Sequence, residues 1–180
     1  MTTPIPRLLI CIPIIHTQSD MGSLKQAEED QPAVTQLWQE IEEKILGFEL
    51  PFNKVRLYQD GLPVSDLATQ IVKETAAQGS HNHKLLMLLI EKGATLMGTE
   101  DPSLLLEEYH FDKQLVKQEI SKEDASTIKL AQSLLERRDR FIAERVNATL
   151  SFGEIGILFL GALHQPNKWL EKDIRIIQCG

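Results

Sequence analysis

Only two cysteines occur among the 180 residues, Cys11 and Cys179. They are too few for a disulfide framework and lack the spacing of a thiolate metal site. Cys11 reads as a small core residue, and Cys179, next to the final glycine, as an exposed and reactive thiol. Long apolar runs are missing too. The longest near the start, LLICIPII at 8–15, falls well short of the roughly 20 residues that cross a bilayer. Pro13 interrupts it and the polar HTQSD follows with no small-residue cleavage site, so it reads as a strand rather than a signal segment, in a protein expected in the cytoplasm. Positive charge is scarce: 19 Lys and Arg stand against 26 Asp and Glu, a net charge of −7. Nucleic acid and anionic membranes need clustered cations, so neither is an expected partner. No G-x-G-x-x-G follows the first strand and no G-x-x-x-x-G-K-[ST] occurs, which excludes the usual dinucleotide and P-loop sites.

What remains is an ordinary globular composition, 42% hydrophobic and 25% charged, long enough to bury a real core as one domain over 1–180. Residues 7–15 form an isoleucine-rich run of the kind covered on both faces of a sheet. A long polar loop, 16–32, precedes helical spacing of Val34, Leu37, Trp38, Ile41 and Ile45. A short strand at 55–58 ends in the turn Asp60-Gly61; helices follow over 64–77 and from His81 to Gly93. ATLMG is the next strand, and a helix starts near Pro102 with Thr99 or Asp101 as its cap. A charged region leads to a long helix over 126–150, then to the strands ILFLGALH and DIRIIQ. This alternation predicts an α/β three-layer sandwich, a mostly parallel sheet with helices on both faces.

Ligands of open parallel sheets bind beyond the carboxyl ends of the strands. The residues there are His16, Asp60, Glu100 and His164. Two imidazoles and two carboxylates on one rim can bind a metal or transfer protons. Each also has a plainer role: strand-end packing for the histidines, a turn for Asp60 and a favourable helix-start charge for Glu100.

The long helix adds a cation. At 100° per residue Ile128, Ala131, Leu135, Ile142 and Val146 share a face with Arg138, with Arg145 near its edge and Arg137, Arg140 and Glu144 turned away. A buried arginine needs a carboxylate or a bound anion. For Arg138 the candidates are Asp60, Glu100 or an anionic ligand; for Arg145 the expectation is snorkelling to water. His81-Asn82-His83 reads as a helix start capped by Ser80, since residues two apart diverge on a helix. His110 reads as a solvated side chain on a charged helix end.

GALH at 161–164 and RRDRFIA at 137–143 together resemble the TraB/PrgY family and its Tiki relatives, within the wider group of ChaN-like and erythromycin-esterase-like proteins. The resemblance puts the family's helix arginine on Arg138. It puts the first GxxH on PIIH, 13–16, with proline in place of glycine, and the family's acid on Asp60, where glutamate is usual. Residues 62–125 have no counterpart. The resemblance implies a hydrolytic or metal-assisted centre of His16, His164 and an acid.

The expected activity is therefore a hydrolase acting on a small-molecule or peptide substrate. In one form His16, His164 and Asp60 or Glu100 hold zinc or manganese. In the metal-free form a histidine is the base, a carboxylate orients it and Arg138 stabilises negative charge. The alternative is a non-enzymatic binding protein for a small anionic ligand, anchored by Arg138 and Asp60. A homo-oligomer fits base rates.

Overall fold

A computed structural model describes residues 5–14, 31–118 and 122–179. Among these residues five strands, β1 (Arg7–Ile14), β2 (Val55–Gln59), β3 (Thr95–Met97), β4 (Ile155–Gly161) and β5 (Ile174–Gln178), form one sheet in the order β3-β2-β4-β1-β5. Every pairing is parallel. Among the described residues five α-helices surround it: α1 (Gln31–Gly47), α2 (Ala68–Ala77), α3 (His81–Glu91), α4 (Pro102–Lys117) and α5 (Ala125–Thr149). The expected three-layer α/β sandwich is what the chain builds.

Two-residue periodicity splits the central strands between two cores. Ile10, Ile12 and Ile14 of β1, Val55 and Leu57 of β2, and Ile157 and Phe159 of β4 pack with Trp38, Ile45, Leu86 and Leu89 of α1 and α3. The alternate residues Leu9, Cys11, Tyr58, Leu158 and Leu160 pack with Ile142, Val146 and Leu150 at the end of α5. Both faces of β1 and β4 are therefore buried, which is why residues 8–14 and 155–161 run apolar rather than alternating with polar residues.

Pro13 sits inside β1 without breaking it. Cys11 O accepts from Cys179 N at 2.9 Å, so this side of β1 faces β5, and the register with β5 stops at Cys11. The N–H that Pro13 lacks would point the same way, two residues past the end of that ladder. Cys179 itself is 6% exposed and packs in the α1–α3 core, which corrects the exposed thiol expected at this position. Cys11 belongs to the opposite core, and burial pushes its thiol up to about 11.

The helix boundaries carry the expected chemistry with one change. Ser80 caps α3 through His83 N, and Asp101, not Thr99, caps α4 through Ser103 N at 2.8 Å. Thr99 is buried instead and its hydroxyl accepts from Gln59 N at 3.0 Å. The helix expected from residue 64 begins at Ala68. The intervening residues are held to the far strand: Leu62 O accepts from Thr99 N and Glu100 N, and Val64 N donates to Glu100 O.

Beneath the amino ends of the strands, Arg7 is 4% exposed. It donates to Asp173, Glu171 and the α5 carbonyls of Asn147 (2.9 Å) and Leu150 (3.2 Å). The C-terminal turn of α5 is thereby tied to β1 and to the start of β5, a cation meeting the negative end of the helix.

Gly98 lies where the chain passes closest to itself. A Cβ there would sit 2.6 Å from Val64 Cα and 2.9 Å from Pro63 O, both backbone atoms that cannot rotate away. Gly98→Ala should cost about 1–3 kcal/mol, read as a lower urea midpoint, because it forces apart the segments that set Glu100 beside β2.

Candidate functional site

Right-handed crossovers place α1, α2 and α3 on one face and α4 and α5 on the other. Neighbouring strands β2 and β4 therefore send their chains to opposite faces, the switch point at which parallel sheets open a crevice. Asp60 immediately follows β2, and its N–H extends the ladder to Phe159 O at 2.9 Å. His164 closes a turn after β4, its N–H donating to Gly161 O at 3.1 Å. Glu100 follows β3 and bridges back to Pro63.

Arg138 joins these ends. Nε donates to Glu100 Oε2 at 2.6 Å, and Nη2 to Glu100 Oε1 at 2.8 Å and to Asp60 Oδ1 at 3.0 Å. Nη1 donates to Glu108 Oε1 of α4 at 2.6 Å. Glu100 is 0% exposed, and its Oε1 also accepts from Gly61 N at 2.8 Å. Burial pushes the Glu100 carboxyl above the usual carboxylate range, with Arg138 offsetting part of that rise. Burial also disfavours the Arg138 charge, but its carboxylate partners more than reverse this and raise its pKa. Asp60 Oδ2 accepts from Gly161 N at 3.0 Å, tying the ends of β2 and β4.

The next residue of the same helix holds the imidazole. His164 Nδ1 lies 2.5 Å from Asp139 Oδ1, and Asp139 Oδ2 accepts from Gln165 N at 2.8 Å. His164 Nε2 faces Asp60 Oδ1 at 3.5 Å. The His164 side chain is 6% exposed. Burial opposes its protonation, yet Asp139 and Asp60 outweigh this and push the imidazole up to about 9. The result is an imidazolium between two carboxylates.

The structure thus brings together Asp60, Glu100, Arg138 and His164, all expected at the rim, and both carboxylates prove to be partners of the arginine. His16 lies outside the described residues. Two participants were missed. Asp139 continues the spacing Leu135–Asp139–Ile142–Val146, steps of four, three and four, so the helical wheel carried the signal. Glu108 had none beyond its charge. The buried stripe of α5 also runs through Thr127, Leu134, Arg138, Ile142 and Val146, while Ile128 and Ala131 face solvent. Arg145 does not simply snorkel: its Nε donates to Gly98 O at 3.0 Å. Arg137 pairs with Glu107 on the surface and His83 with Ser80, away from this site.

Comparison with protein-family models, with curated proteins and with solved structures finds no match. No helix among the described residues is long and apolar enough to cross a membrane.

Two outcomes follow from the ion network. Arg138→Met leaves Glu100 and Asp60 buried without their cation and should cost about 3–5 kcal/mol in urea unfolding. The imidazole provides a pH signature. Its folded value of about 9 exceeds the ordinary 6.5, so its stabilisation is complete below about pH 6.5 and is lost as pH rises through about 9. His164→Gln should remove that alkaline decline from the unfolding midpoint, and Asp139→Asn should lower the imidazole pKa measured by NMR titration.

Proposed function

We propose that the protein is a hydrolase in which His164 is the acid–base group, acting on a small-molecule or peptide substrate at the carboxyl ends of β2 and β4. The observation that carries this reading is the position of His164. Its Nδ1 is fixed by Asp139 at 2.5 Å and its Nε2 is turned toward Asp60 at 3.5 Å. A carboxylate that orients an imidazole while a second faces its far nitrogen is a proton-transfer arrangement. With the imidazole charged near neutrality, Nε2–H is the proton donor to a leaving group, and Asp60 is the acceptor placed to take a proton from attacking water. The RRDRFIA and GALH motifs that resemble the TraB/PrgY and Tiki proteins supply Arg138, Asp139 and His164, three members of this centre.

Of the partners expected for Arg138, it meets the carboxylates and not a free anion. Its Nε, Nη1 and Nη2 all donate to carboxylates, so it is the resident cation of the centre and not a waiting anchor for an anion. Four carboxylates (Asp60, Glu100, Glu108 and Asp139) surround two cations. This charge makes a binding protein for an anionic ligand the weaker reading.

The same excess favours a second form of the hydrolase. Asp60, Glu100 and His164 offer ligand atoms all within 4.8 Å of one another, a mixed set suited to zinc or manganese. The donor types fit such an ion, with the guanidinium competing for Glu100 and a proton for His164. When bound, the ion would lower the pKa of a coordinated water.

Metal content by mass spectrometry, beside a screen of ester, amide and peptide substrates, tests both forms. Turnover that falls on the order of 10²–10⁴-fold in a folded His164→Ala protein is the expected result. Near-stoichiometric zinc or manganese that disappears in the same variant selects the metal form. Turnover unchanged by His164→Ala would sink the assignment.

A further inference from the structure

The opposite face of the same sheet end carries a neutral polar cluster that the hydrolase centre does not use. Trp38 is 3% exposed, Gln59 1% and Asn82 1%. Among the described residues, Trp38 Nε1, Gln59 Oε1 and both amide atoms of Asn82 have no hydrogen-bond partner. Buried polar groups are nearly always satisfied, and an orphan set points to water or a ligand.

Three observations put these groups at one level of one layer. Gln59 ends β2 and, two residues after Leu57, faces the α1–α3 core. Asn82 begins the buried stripe Asn82, Leu85, Leu86, Leu89 that α3 turns to the sheet. Trp38 belongs to the matching stripe of α1, with Ile45 and the half-buried Val34 and Ile41. Both helices run against the strands: α1 leads through Phe52–Lys54 into β2, and Gly93, just past α3, backs onto Asn53 and Phe52. Their amino-terminal halves therefore lie toward the carboxyl ends, where Thr35 Oγ1 and His81 Nε2 are 3.3 Å apart, and Trp38 and Asn82 each stand nine residues before the end of their helix.

We infer a second binding site here, between Trp38 in the middle of α1, the first turn of α3 and the end of β2, for a neutral molecule that both donates and accepts hydrogen bonds. The orphan atoms are an indole N–H, an amide NH₂ and two amide oxygens, with no charged atom among them. This set rejects ions, whose desolvation it could not offset, and matches ordered water or a small carboxamide. The site shares no residue with the Arg138 network, so its fate is independent of the hydrolase assignment.

The test uses the indole N–H signals of the whole protein, with Trp169 as internal control beside Trp38. A long-lived water cross-peak at the Trp38 indole is expected, and acetamide as the probe should shift that signal and leave Trp169 unmoved. The water cross-peak without an acetamide shift identifies water as the occupant and still supports the site. A crystal structure showing density bridging Trp38, Gln59 and Asn82 supports it without mutation. Absence of both the cross-peak and the shift, or a crystal structure in which chain atoms satisfy these groups or the space is dry, overturns it.

Discussion

A single buried guanidinium determines how the carboxyl ends of three strands can be arranged. Arg138 accepts no substitute geometry: its planar fork meets Glu100 through two donors while its remaining contacts reach Asp60 and Glu108. Glu100, without exposure, has no water to fall back on. Each group therefore requires the other, and the loops after β2 and β3 are held wherever α5 holds its arginine. The gain in net stability from such a pair is small, since desolvation cancels much of the attraction. Its effect is on placement. Asp60, fixed by Arg138 and Gly161 N, can face His164 only because the arginine is already there.

Arg7 plays the corresponding part at the other end of α5. It binds the last carbonyls of the helix together with the carboxylates leading into β5. The helix is pinned to the sheet near both ends of its packed half, with Ile142, Val146 and Leu150 filling the interval. This explains why consecutive residues of one helix can serve two strand ends with precision: Arg138 addresses those of β2 and β3, and Asp139 addresses His164 beyond β4. The preceding part of α5 has no such anchoring, and Ile128 and Leu130 are 41% and 60% exposed there.

The architecture was legible because burial on both faces writes itself into composition. Past Arg7, β1 and β4 run apolar through the sheet, and the helices between strands leave only a parallel sheet. Arg138 was legible for a related reason, since a charge on an apolar stripe demands an explanation. Asp139 was on the same stripe, beside the arginine that already marked that face, in the steps of four, three and four that run from Leu135 to Val146. Glu108 illustrates a true limit: α4 is exposed along most of its length, and nothing in an amphipathic pattern tells which of its acids faces a partner thirty residues away. The α2 boundary failed for the same kind of reason. Val64 looks helical by spacing, but its N–H is taken by Glu100 O across the fold, a long-range bond that local pattern cannot reveal.

The end of β2 shows why the two faces of one sheet acquire different chemistry. Gln59 and Asp60 are adjacent, and strand alternation sends one to the α1–α3 layer and the other toward α5. On the α5 side a buried arginine can stabilise carboxylates, so acids accumulate and draw a proton onto His164. On the α1–α3 side none of the orphan atoms is charged, and an ionised group there would remain unpaired in the interior. A neutral amide suits such surroundings, because its dipole can be matched by neutral partners. The proton-bearing centre and the neutral cluster are thus two consequences of one placement: the buried cation lies on a single side of the sheet.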